Sequence, residues 1–176
     1  MPEPLIALDD PRAADVRAFL GHHWEFTRTH SPPEDVHALD LDGLLDPAVT
    51  FWSYRTGGQL LAVGALKQLD DHHAEIKSMH TARAARGQGV GRAMVTHLLE
   101  IARERELARV SLETGSMSAF APARTLYTSA GFTACPPFAD YAPSPNSTFM
   151  TLALTATPAN RTAAQPSPTV RAIEVE

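Results

Sequence analysis

The sequence predicts an α+β fold in three layers (α/β/α), with about four helices packed on both faces of a central mixed, mostly antiparallel sheet of about six to seven strands. Three observations predict it. Residues 50–81 hold three consecutive β-type runs joined by short polar turns, the pattern of an antiparallel meander. Helical periodicity then begins abruptly at Val90, directly after a glycine-rich loop. Two later β runs, Val110–Glu113 and Phe149–Leu154, flank one more helical stretch.

Taken in order, Leu5–Leu8 reads as a first strand. Asp9-Asp10-Pro11 looks like a helix start, with a carboxylate cap and proline in the first turn. That helix carries Val16, Phe19, Leu20, Trp24 and Phe26, and Ser31-Pro32-Pro33 stops it. A short second helix is expected over Val36–Leu45, broken by Asp46-Pro47. Thr50–Tyr54 is rich in β-formers, Thr56–Gln59 supplies a turn, and Leu60–Leu66 is an apolar run fit for a buried strand. After a second turn at Asp70–His73, Ala74–Thr81 forms the next strand. Val90, Met94, Leu98 and Ile101 fall on one helical stripe, and Arg92, Glu100, Arg103 and Glu104 fall largely elsewhere. Val110–Glu113 alternates with period two. Ser118–Ala130 is a helix with Pro122 in its first turn and Gly131 as its stop. Phe132-Thr133 begins a strand, and Phe149–Leu154 is the last strand of a domain spanning residues 1–155. Residues 156–176 shift to Thr, Ala, Pro, Asn and Gln and read as a tail. Its end alternates Ile173 and Val175 with Glu174 and Glu176, as an added strand would; a plain tail is the alternative.

The 176 residues suit one domain, and 44% hydrophobic content supplies its core. A net charge of −5 argues against a nucleic-acid or anionic-membrane surface and favours a neutral or cationic acceptor such as an amine. The single cysteine, Cys135, excludes an internal disulfide framework and a Cys-rich zinc site. Among the eight histidines, His22-His23 and His72-His73 are adjacent pairs whose side chains diverge, so no metal site is expected. The start, Met1-Pro2-Glu3-Pro4, lacks a signal-peptide pattern, and no apolar run approaches the ~20 residues of a membrane span; a cytoplasmic protein is expected.

Arg86-Gly87-Gln88-Gly89-Val90-Gly91-Arg92 carries the strongest chemistry. It joins a strand to an amphipathic helix, where unpaired backbone N–H groups and the positive helix end attract an anion. Glycines let a phosphate reach the backbone, and Arg86 and Arg92 add charge. A glycine-rich turn kept for steric reasons is the alternative on spacing alone. The loop lacks the Gly-Lys-Ser/Thr of nucleotide-triphosphate loops. It also has the wrong glycine spacing for a dinucleotide fingerprint, and it follows a meander rather than a βαβ unit.

Arg86-x-x-Gly89-x-Gly91 resembles the pyrophosphate motif of the GNAT acetyltransferase superfamily, and Leu126-Tyr127-Thr128-Ser129-Ala130-Gly131-Phe132 resembles its second signature, over about residues 4–154. Glu75–Met79, Leu112–Met117, Phe138–Tyr141 and Pro145–Thr151, with Ser31–Leu39, resemble the YsnE-like branch of that family. The resemblance implies the GNAT fold, a sheet splayed between its fourth and fifth strands, with acetyl-CoA as co-substrate in the wedge. It implies that Arg86, Gly87, Gln88, Gly89, Val90, Gly91 and Arg92 hold the pyrophosphate, that Met79, His80 and Thr81 end the strand beside the pantetheine, and that a backbone N–H near Met79 polarises the thioester carbonyl.

Tyr127 stands where the family's thiolate-protonating tyrosine stands, and Glu75 where the general base of the histone-acetylating members stands. Each has a structural alternative, as a core tyrosine and an ion-paired strand carboxylate. Glu113, across the wedge, meets the acceptor or shares the base role, and His80 has a suitable ordinary pKa of ~6.5. One position departs from the family: Phe120 replaces a cofactor-holding Asn, so that contact is absent or supplied otherwise. The long aromatic loop Pro136–Ser147, with Asp140, Tyr141 and Asn146, and the segment Ser31–His37, ending in His37, are read as acceptor-determining walls or as cover over the sheet. The expected function is acetyl transfer from acetyl-CoA to a primary amine of a small molecule, an amino-acid-like compound or a peptide N-terminus. The alternative is an acyl-CoA-binding or partner-binding module without turnover. A homodimer is compatible with such a fold.

Overall fold

The computed structural model describes residues 3–155; the tail 156–176 and its added strand lie outside the described residues. Seven strands form one sheet: β1 (Pro4–Leu8), β2 (Val49–Thr56), β3 (Gln59–Gln68), β4 (His73–Thr81), β5 (Arg109–Gly115), β6 (Thr133–Ala134) and β7 (Ser147–Ala153). Their order is β1-β2-β3-β4-β5-β7-β6. Every pairing is antiparallel except β4 with β5. The four α-helices are α1 (Ala14–His30), α2 (Leu41–Leu44), α3 (Val90–Glu104) and α4 (Ala121–Ser129).

Strand alternation divides the core into two layers. Trp52, Ala62, Leu66, Ala74 and Ile76 point to the face covered by α3, whose Val90, Met94, Val95, Leu98, Leu99 and Ala102 are buried. Phe51, Val63 and Ala65 point to the opposite face, against Val16 and Leu20 of α1 and Leu44 of α2. Each fully buried leucine contributes about 1.5–3 kcal/mol, so the α3 stripe anchors the loop that precedes it.

Two expectations at the N-terminal half are corrected. The first helix begins at Ala14 rather than at Asp9-Asp10-Pro11. Asp9 instead turns to the sheet, accepting from Ser53 Oγ at 2.5 Å and Arg55 Nη2 at 2.9 Å, and Asp10 closes a turn on the backbone N–H of Arg12 at 2.9 Å. The helix expected over Val36–Leu45 is a single turn, Leu41–Leu44, capped by Asp40 on the Gly43 N–H at 2.8 Å. The chain before it is extended, and Trp24 Nε1 holds it by donating to the Leu39 carbonyl at 2.8 Å. The strand expected from Phe132 spans only Thr133–Ala134, because Phe132 itself is buried in the core.

The β4–β5 pairing covers three positions, His73↔Arg109, Ala74↔Val110 and Glu75↔Ser111. Beyond them the strands diverge, and a wedge opens toward their C-terminal ends. Opposite Gly64, β4 carries one extra residue, since pairing jumps from Ala65↔Lys77 to Val63↔His80. Ser78 takes a left-handed φ of 52° in this bulge, which re-aims the strand edge at the wedge. Gly64 makes the bulge possible: a Cβ there would lie 2.8 Å from Met79 Sδ and 3.0 Å from Met94 Cγ.

Candidate active site

Two cavities meet in the wedge. The larger, about 470 Å³, is lined by Met79, His80 and Thr81 of β4, by Arg86, Gly87, Gly89, Gly91 and Arg92 of the loop, and by Tyr127 of α4. The smaller, about 130 Å³, is lined by Lys77, Ser78, Glu113, His37 and Asp35 among others. They share Phe26, Met79, His80, Phe120, Ala123 and Tyr127. The arrangement is one cleft with two chambers and a common neck.

The loop walls the larger chamber for a conformational reason. Gly87 and Gly89 have φ of 75° and 83°, and nothing lies within 4 Å of a Cβ built on either, so open space faces the backbone. Gly89 is the N-cap of α3 and makes no side-chain cap, which leaves the first-turn N–H groups for an anion. Arg86 Nε donates to the Thr81 carbonyl at 3.3 Å, and its guanidinium stands 6.0 Å from the Phe26 ring. Arg92 reaches Ser129 Oγ at 3.3 Å. Gln88 and Val90 do not line the chamber with their side chains. Gln88 Nε2 donates to the Ala84 carbonyl at 2.7 Å, and Val90 is buried under α3.

At the neck, Tyr127 is buried against Phe132, and burial together with the Glu113 carboxylate pushes its phenol well above the ordinary range. It stays a proton donor throughout the neutral range. His80 lies in the neck, packed against Phe19 and His23 at ring distances of 5.4 Å. Burial and the nearby Arg86 lower its pKa to about 4, and burial, then His80, lowers His23 to about 3. Phe120 packs on Gly115 and meets Phe26 edge-on at 5.2 Å, so the position of the missing Asn is an apolar wall of both chambers.

Glu75, Lys77 and Glu113 occupy the face of the sheet under α1, as register dictates: Lys77 lies opposite Ala65, and Glu75 opposite Ser111, two residues before Glu113. Glu75 is buried and does not line either chamber; its Oε1 accepts from Tyr141 OH at 2.5 Å and from Lys77 Nζ at 3.2 Å. Lys77 Nζ also donates to Tyr141 OH at 2.6 Å and to the His37 carbonyl at 3.0 Å. Glu113 faces the smaller chamber, and its burial lifts the carboxyl pKa to about 7 against the opposing pull of Ser147 and Lys77. His37 lines that chamber edge-on to Tyr141, its pKa lowered by burial and then by Lys77. Tyr141 and Asn146 line neither chamber, so the Pro136–Ser147 loop covers the sheet rather than walling the cleft; Asn146 ties it to the Ser31–His37 segment by donating to Asp35 Oδ2 at 2.9 Å. Asp140 is exposed and lines neither.

This is a backbone anion cradle joined through a buried tyrosine to a small chamber holding a near-neutral carboxyl. Residues 15–132 match the acetyltransferase (GNAT) family. This chain belongs to the GNAT acetyltransferase family. The GNAT chain is 47% identical over 146 residues to the uncharacterised N-acetyltransferase YsnE of Bacillus subtilis, covering 83% of this chain and 97% of that one. A crystal structure assigned to an acyl-CoA N-acyltransferase of Klebsiella pneumoniae matches it with a TM-score of 0.69 at 26% identity, over 86% of this chain and 98% of that chain. A GNAT acetyltransferase of Elizabethkingia anophelis, solved with acetyl-CoA bound, shares the fold with a TM-score of 0.64 at 15% identity, over 86% and 98% of the two chains. Among the described residues of this acetyltransferase, no helix is long and apolar enough to cross a membrane, and no group of three or more His, Cys, Asp or Glu is placed to hold a metal.

Sequence reading passed over Lys77, Ser78 and His23 as chamber residues, whereas Asp35 falls in the Ser31–His37 segment expected as a wall. A signal existed for Lys77, a cation two residues from Glu75 and therefore on the same strand face. None existed for Ser78, whose exposure to the chamber depends on the bulge. Cys135, half-buried and with its thiol pKa raised by burial, lines neither chamber.

Proposed function

We propose that the protein transfers the acetyl group of acetyl-CoA directly to a primary amine. The observation that carries the reading is the shared neck: the anion cradle and the chamber holding Glu113 open onto the same Met79–Tyr127 seam. The acetyl-CoA complex of the Elizabethkingia anophelis enzyme supports the co-substrate.

In this reading the loop N–H groups, Arg86 and Arg92 hold the pyrophosphate. The β4 edge beside the bulge, near Met79, offers N–H groups to the thioester carbonyl as negative charge develops on its oxygen. Glu113 takes the proton that the attacking amine must lose; a carboxyl with a pKa of about 7 is suited to accept it near neutral pH. The new bond joins the amine nitrogen to the acetyl carbon, the carbon–sulfur bond breaks, and Tyr127 supplies a proton to the departing thiolate. Glu75 is the second candidate for the base, at the position that the histone-acetylating members favour, but its Oε1 already accepts two hydrogen bonds.

The test is release of free CoA across a panel of amines, with Tyr127→Phe, Glu113→Gln and Glu75→Gln beside the unaltered protein. Removing a general acid or base lowers kcat by about 10²–10⁴. Tyr127→Phe and Glu113→Gln are expected to lose that much. A loss confined to Glu75→Gln would move the base role to Glu75. Binding of acetyl-CoA with no turnover of any amine would favour a binding module.

A further inference from the structure

The smaller chamber carries a particular balance of charge and one unfilled hydrogen bond. Lys77 is the only lysine or arginine among the described residues that line it. Its ammonium has three donors, and all three are used, on Glu75 Oε1, Tyr141 OH and the His37 carbonyl. No cation is left over to meet a carboxylate. The acidic residues Asp35 and Glu113 line the same space, and burial holds the neighbouring His23 and His80 neutral near pH 7. An acceptor entering with a carboxylate beside its amine would bury that charge unpaired, against like charge.

The unfilled bond belongs to Ser78. Its side chain is buried, lines the chamber, and leaves Oγ without a hydrogen-bond partner. It stands in the β4 bulge, one residue before Met79 at the neck. A buried hydroxyl without a partner is costly unless a ligand completes it. Ser78 can donate to a neutral oxygen placed next to the reacting amine.

Resting on the acetyl-transfer reading, we infer that the acceptor is an amine carrying an adjacent neutral amide carbonyl, the chemistry of a peptide amino terminus, rather than a free amino acid, and that Ser78 Oγ binds that carbonyl.

The experiment compares matched acceptors, glycinamide with glycine and alaninamide with alanine, by CoA release at saturating acetyl-CoA, with thermal unfolding in acetyl-CoA measured in parallel. Each amide is expected to exceed its acid about tenfold or more in kcat/KM, one hydrogen bond and one unpaired charge apart. Ser78→Ala is expected to raise KM for the amides about tenfold while the KM for acetyl-CoA and the thermal shift it produces stay unchanged. Ser78→Gly, which removes the same hydroxyl and suits the φ of 52°, must reproduce that result. Acids used as well as amides, or an amide KM unmoved in both variants, would overturn the inference. So would turnover of neither amide nor acid while acetyl-CoA still raises the unfolding temperature. Absence of both the shift and all turnover would overturn the acetyl-transfer reading itself, and this inference with it.

Discussion

Lys77 and Tyr141 meet at 2.6 Å, ammonium donating to phenol, across 64 residues of sequence. Because Tyr141 then donates to Glu75, and Lys77 also holds the His37 carbonyl, one buried cluster joins β4 to the His37 segment, which lines the smaller chamber, and to the Tyr141 loop, which packs behind it. Lys77 and Glu75 side chains are 9% and 4% exposed, so solvent screens their pairing little.

Breaking this cluster from either side gives different costs. Tyr141→Phe removes one hydroxyl and is expected to cost about 1–3 kcal/mol. Lys77→Met leaves the Glu75 charge buried without its partner, at about 3–5 kcal/mol. Urea unfolding should rank Lys77→Met below Tyr141→Phe and both below the unaltered protein. Equal stabilities would contradict the clustering.

Gly64→Ala tests the bulge. The added methyl must displace Met79 Sδ, Met94 or Leu98, which crowd it at 2.8–3.2 Å. Overpacking of this kind costs about 1–3 kcal/mol. Since Met79 lines the neck, acetyl-CoA binding measured by calorimetry should weaken along with stability. Unchanged affinity would separate the bulge from co-substrate binding.

The pH dependence of kcat/KM should reveal Glu113. Its folded pKa is raised to about 7, and the base must be ionised, so activity is expected to rise as pH increases through about 7. Glu113→Gln should abolish that limb as well as most of the rate. A limb that survives in Glu113→Gln belongs to another group.

Stability should fall with acid. His23 and His80 have folded pKa values of about 3 and about 4, below the ordinary 6.5, so the unfolded chain gains protons that the folded chain refuses as pH drops below 6.5. Glu113 acts in the opposite direction between about 7 and its ordinary 4.5, since the folded state then holds the extra proton. His37 and His73, also lowered by burial, act with these two, so the histidines outweigh the one carboxyl and stability is expected to fall between roughly pH 6.5 and 4.5. Urea midpoints at pH 7, 6 and 5 should decline in step; a flat series would show that the histidines are not buried.

The fold was legible where local pattern and tertiary packing agree. The meander, the glycine loop and the α3 stripe each carry their own period or turn chemistry, and the β2-β3-β4 order follows from the first; the insertion of β7 between β5 and β6 has no such local signal. Val36–Leu45 misled because its apolar residues serve an extended segment pinned by Trp24 rather than a helical face. At the site, the loop from Arg86 to Arg92 was readable from its glycines at a strand–helix junction, and Tyr127 from the resemblance to the family's second signature. The partnership of Glu75 with Tyr141 was not, because it spans 66 residues and is created by how the loop folds back. The chamber position of Ser78 and the raised pKa of Glu113 arise from a bulge and from burial, neither of which has a local sequence signature.

The most direct test of the account is thermal unfolding with and without acetyl-CoA, with ATP and NAD as controls. At one hundred times its dissociation constant a ligand adds about 2.7 kcal/mol of stability. For a chain of this size that raises the midpoint by roughly 5–11 °C, at about 2–4 °C per kcal/mol. A rise with acetyl-CoA and none with the other two nucleotides is the predicted result. No rise at millimolar acetyl-CoA would contradict the claim that the loop from Arg86 to Arg92 and the β4–β5 wedge hold this co-substrate.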